Sequence, residues 1–185
     1  YRSLINFLSR IDITELEAEA LIRCGALDGL DSSRPEMLWI LKIFSKQKKP
    51  PPLLASPLKI REYTLREKLQ AELEHLNLTV SDHLLTLYDI DNKNIVSASG
   101  LSRFVGRIVT LIGWLVTTKQ TLTVKNELMS FITLDDATEL FEVVLFPKIY
   151  KRFGSLIYDQ GPYIVKGRVE KEGSCLSVTA LWINR

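Results

Sequence analysis

Apolar residues follow two different periods along this chain. Up to about residue 88 they recur every three or four positions, as on a helix lying against a core. From Gly106 onward they alternate, or run together over short stretches, as in strands. In the first part, boxes of the form Ser/Thr-x-x-Glu mark helix starts, because each side chain satisfies the other residue's free backbone N–H. Thr14 to Glu17 predicts a helix with Leu16, Ala20, Leu21 and Cys24 as its apolar stripe, stopped at Gly25. Ser33 to Glu36 opens a second, carrying Met37, Leu38, Trp39, Leu41 and Phe44. Thr64 to Glu67 opens a longer one to about Asn77, with Leu65, Leu69, Leu73 and Leu76 in a narrow stripe. Ser81-Asp82-His83 caps a short helix through Tyr88. Between the second and third boxes lies KQKKPPPLLASPLKI, residues 46–60. Its prolines favour extended chain and its lysines favour water, which predicts a linker.

The second part predicts a strand over 107–118, with Gly113 at a bend, and a polar loop over 119–127. Strands at about 128–135 and 139–146 flank Asp135-Asp136-Ala137-Thr138, and Pro147 starts a helix to about 157. Strands at about 162–170 and 175–183 meet at a Glu172-Gly173-Ser174 hairpin, with Leu176, Val178 and Ala180 facing one way. Three strands, a helix and two strands are the order of a small OB-type barrel. The expected fold is α+β. Helices over 1–46 contain a helix-hairpin-helix-like turn, 47–60 is the linker, 61–103 are connecting helices, and 104–185 form a five-stranded OB-fold barrel.

Composition changes this picture little. The chain has 185 residues, 46% hydrophobic and 25% charged, with net charge +2. That is ordinary globular composition. The charge is uneven: residues 1–102 carry 13 Lys+Arg against 14 Asp+Glu, and residues 103–185 carry 11 against 8. The positive excess lies in the expected barrel and suits a polyanion. Two cysteines and two histidines at wide spacing give no metal motif, and with so few cysteines the chain reads as a reduced, cytosolic protein. No apolar run is long enough to span a bilayer, so no membrane partner is expected. A start at Tyr1 suggests a piece of a longer protein.

OB barrels hold ligands across strands 2 and 3, between the loops joining strands 1–2 and 4–5. Here those loops, 117–127 and 170–174, bring Lys119, Lys125 and Lys171, with Lys166 and Arg168 on the fourth strand. Lysines pair with phosphates, and Phe131 and Phe141 would stack bases if they point outward; the alternation leaves open whether they are core instead. The turn in LIRCGALD, residues 21–28, can present N–H groups around Gly25 to a phosphate, or it can be a glycine helix stop. Asp135-Asp136 reads as a turn, since neighbouring strand residues face opposite sides. No phosphate loop, nucleophile elbow or triad pattern is present, and we expect no catalytic residue, metal or cofactor in this segment.

Four stretches together resemble the C-terminal region of bacterial DNA polymerase III alpha subunits. They are YRSLINFLSR at 1–10, LIRCGALD at 21–28 followed by Arg34, ELEHLN at 72–77 with SDHL at 81–84, and Trp114 to Phe146 with its TLDD and FP. The resemblance implies single-stranded template DNA bound by the OB domain and duplex backbone contacted by the helical hairpin, with Gly25 and Arg34 among its site residues. It implies a bacterial cytoplasmic parent, a DNA-directed DNA polymerase whose catalytic carboxylates lie outside this segment, and other polymerase domains or subunits as partners. Gln47 is followed by Lys-Lys-Pro-Pro-Pro, which does not fit the family's sliding-clamp motif; with Met37-Leu38-Trp39 this leans toward the error-prone branch. The alternative expectation is a protein-docking module that never grips DNA.

Overall fold

A computed structural model describes residues 1–30, 32–47, 60–88 and 94–185. The described chain divides into two compact units, Tyr1–Leu87 and Tyr88–Arg185. Most of the expected linker, 48–59, lies outside the described residues.

The first unit is helical: α1 Leu4–Leu8, α2 Glu15–Arg23, α3 Arg34–Gln47 and α4 Leu65–Leu76, then a 3-10 turn at Leu84–Leu87. All three capping boxes form. Thr14 and Glu17, Ser33 and Glu36, and Thr64 and Glu67 each exchange backbone-to-side-chain hydrogen bonds. The α2 stripe is rotated from expectation: Ala18 and Ile22 are buried, and Leu16 is 79% exposed. In α4, Leu69, Ala71 and Glu72 are buried while Leu65 and Leu76 are exposed. The core joins Leu4, Phe7, Ala18, Ile22, Met37 and Leu41. α4 also packs on α2, so the helix after the Pro/Lys segment belongs to the same unit as those before it.

The second unit is a closed barrel in the order β1-β2-β3-β5-β4, with β1 Ile108–Leu122, β2 Leu128–Asp135, β3 Leu140–Leu145, β4 Tyr163–Glu172 and β5 Cys175–Asn184. Helix α5, Pro147–Phe153, sits between β3 and β4 in sequence. Only β3 and β5 pair in parallel. This is the OB arrangement. β1 runs farther than expected, to Leu122, and its ribbon with β2 shortens the predicted loop to residues 123–127. A 3-10 helix at Ala98–Phe104 buries Ala98 and Leu101 against the barrel. Asp136 ties it there, accepting from Ala98 N–H at 2.5 Å and also from the Thr138 and Glu139 N–H groups. Burial pushes the Asp136 carboxyl up, but those donors and the Thr138 hydroxyl outweigh it and hold it below the usual range.

Two glycines let the barrel close. A Cβ at Gly113 would lie 2.7 Å from Leu134 Cβ and 3.0 Å from Phe141 Cε1. One at Gly167 would lie 2.6 Å from both Thr179 O and Val178 Cγ1. Because the Thr179 obstacle is backbone, Gly167→Ala is expected to lower stability by about 1–3 kcal/mol, read as a shift in urea midpoint. A midpoint equal to that of the unaltered chain would show that the β4–β5 approach has slack.

Candidate nucleic-acid interface

Strand register places outward side chains in rows around the barrel, because directly opposite residues share a face. One row runs Lys119, Phe131, Val144, Thr179 and Arg168 across β1, β2, β3, β5 and β4, with Val144 in its middle covered and only 7% exposed. The next runs Thr117, Thr133, Glu142, Ser177 and Glu170. Thr117, Lys119, Phe131, Thr133 and Glu142 together line a shallow surface depression. It lies on the strands, and between the loops, that OB folds use for ligands.

The expected residues are not all brought together. Lys119 and Phe131 come together; Lys119 is an exposed β1 residue opposite half-buried Phe131, not a loop residue. Lys125 stands exposed in the turn between β1 and β2. Lys171 is exposed at the end of β4, beside a two-residue turn in which Gly173 takes φ +61. Lys166 and Arg168 also face outward, and the Arg168 guanidinium donates to Gly106 O at 2.7 Å. They sit on β4, around the barrel from the depression.

Phe141 is corrected. It is 4% exposed, in the barrel core against Gly113, so its ring cannot stack on a base. Neighbouring strand residues take opposite faces, and β3 turns Glu142 outward in its place. That carboxylate lowers the positive potential of the depression, and charge counting did not reveal it.

Gly25 and Arg34 are corrected as well. Gly25, at φ +81, is the left-handed residue of a Schellman stop: its N–H donates to Ile22 O and that of Ala26 to Leu21 O. The turn's N–H groups are thus spent inside the helix end, not offered to a phosphate. A Cβ at Gly25 would lie 2.2 Å from Arg34 Nη2, so the glycine also makes room for that guanidinium. Arg34 is 2% exposed. It donates to Asp28 at 2.6 Å, to Arg23 O at 3.1 Å and to Glu72 at 3.3 Å. Glu72 is fully buried and also accepts from the Val80 and Ser81 N–H groups and the Ser81 hydroxyl. Burial pushes the Glu72 carboxyl up, but the Ser81, Val80 and Arg34 donors outweigh it and hold it below the usual range. Arg34 holds the helical unit together from within.

Asp135 and Asp136 serve the β2–β3 turn, accepting from Ala137 N–H and from Thr138 and Glu139 N–H respectively. Among the described residues no group of three His, Cys, Asp or Glu side chains is placed to hold a metal, and no helix is long and apolar enough to cross a membrane.

No family model matches the chain. Curated relatives do. DNA polymerase III subunit alpha of Halalkalibacterium halodurans is 25% identical over 92% of this chain and 17% of its own length. The Thermus aquaticus subunit is 28% identical over 92% of this chain and 16% of its own. Error-prone DNA polymerase of Allorhizobium ampelinum is 24% identical over 88% of this chain and 16% of its own. The chain thus spans about a sixth of the length of these relatives and resembles that portion of both kinds of polymerase.

Proposed function

We propose that this chain is a strand-holding part of a DNA polymerase III alpha-type enzyme, and that its barrel binds single-stranded template DNA across β1, β2 and β3. The observation that carries the reading is the outward pairing of Lys119 with Phe131 in a depression on the face that OB folds use. Phe131 offers a ring for stacking, while Lys119, Lys125 and Lys171 offer charge to phosphates. The likeness to polymerase relatives supports DNA as the polyanion. The contribution is binding and positioning; we assign no chemical step to these residues. Of the two residues named for duplex contact at the hairpin, Arg34 is buried and Gly25 has its N–H spent in the helix stop, so the proposal rests on the barrel alone.

Fluorescence anisotropy of a labelled single strand of about 20 nucleotides, longer than a typical OB site, tests it across a salt series. Micromolar binding that fades with salt and exceeds binding to duplex is expected. Reversing Lys119 and Lys125 to Glu should weaken binding and flatten the salt slope by about 1.4, the value for two phosphate contacts on a single strand. An unchanged slope removes these lysines from the interface. Absence of binding at low salt points instead to docking on protein, for which Glu142 and Glu170 in the adjoining row leave the face nearly neutral.

A further inference from the structure

β5 changes phase partway along. Val178 and Ala180 point into the barrel, so a regular strand would carry residue 182 inward too. A bulge intervenes: Lys166 pairs with Trp182 and Gly167 with Ala180, leaving Leu181 as the extra residue. Ile183 takes the inward place, fully buried, and Trp182 is turned outward, 39% exposed. Bulges re-aim side chains in this way. The Gly167 approach described above sits at the same step, so the sequence provides for the bulge. The result is a large aromatic ring in water, directly opposite Lys166 and one outward position along β4 from Arg168.

We infer that Trp182 is a second stacking position for a base of single-stranded nucleic acid, with Lys166 meeting the adjoining phosphate. The inference rests on the reading above and extends it around the barrel. From Phe131 on β2 to Thr179 on β5, past the buried Val144 of β3, is two strand spacings or about 10 Å. Trp182 lies three residues farther along β5, roughly 10 Å more. That path fits within an OB site of roughly 4–16 nucleotides. Charge selects the occupant: Lys166, directly opposite Trp182, and Arg168, farther along the same outward face of β4, are both cationic.

The test uses the full chain and a labelled oligothymidylate of about 20 nucleotides, with Trp182→Ala, Trp182→Phe and Phe131→Ala measured side by side. Trp182→Ala should weaken binding by roughly five- to a hundredfold, the range for losing one stacked base. Trp182→Phe should retain most of the affinity, and the melting temperature of both should stay near that of the unaltered chain. If the unaltered chain binds but Trp182→Ala binds equally well, the inference is overturned and the β4–β5 face passes to a protein partner, while the reading of the Phe131 face stands. If the unaltered chain does not bind at low salt, both are overturned.

Discussion

An Arg34→Ala chain is expected to lose about 3–5 kcal/mol of the stability of its helical unit. The guanidinium spans three places at once: Asp28 after the hairpin turn, the Arg23 carbonyl at the end of α2, and Glu72 in α4. Without it, Glu72 remains a buried carboxylate that has lost its cation, the costly half of a broken ion pair. Arg34→Lys should recover only part of the loss, since one ammonium cannot reproduce the planar fork. Replacing Arg34 and Glu72 together by Met and Leu should cost less than the single change, because no unpaired charge is left inside. Urea unfolding followed at 222 nm, where the helices dominate, reads all three. The pH dependence has a definite sign. Glu72 lies below its usual value in the folded state, so its contribution is complete above the unfolded value of about 4.3 and is lost as pH falls through the folded value. An Arg34→Ala chain as stable as its parent would mean that Asp28 and Ser81 rearrange to serve Glu72, and the cluster would not be a fastening.

What the sequence revealed follows from how local each signal was. The capping boxes need only four residues, and all three form. The strand order was readable because turn residues and alternation are local too. The α2 stripe was not, since Leu16 and Ala18 are both compatible with a helix and only the packing of α3 and α4 chooses between them. Glu72 carries no local mark of its burial, because the cation it pairs with, Arg34, lies 38 positions before it. The unit boundary was hidden for the same reason: composition marks the Pro/Lys segment, whereas the Arg34–Glu72 pair joins helices on either side of it. At the candidate interface, strand phase separates Phe131 from Phe141 once the Asp135–Glu139 turn is known. Trp182 was out of reach, since a bulge reverses the phase without leaving a mark in the alternation.

Phe131→Ala and Phe141→Ala are expected to have opposite profiles. Phe141 is a core ring packed where Gly113 leaves space, and removing it should cost about 3–5 kcal/mol through lost burial and the cavity left behind. Phe131 is half-buried on the outer face, so its removal should cost under about 1 kcal/mol of stability and roughly fivefold or more in single-strand affinity. Urea midpoints and oligonucleotide titrations on both variants, under conditions where each is folded, separate the effects. Phe141→Ala that is still folded should bind nearly as the parent does, since its ring never reaches the surface. Should Phe131→Ala be as unstable as Phe141→Ala, the ring would be part of the barrel's packing. The depression would then be no preformed base platform, and the lysines alone would have to account for any salt-dependent binding.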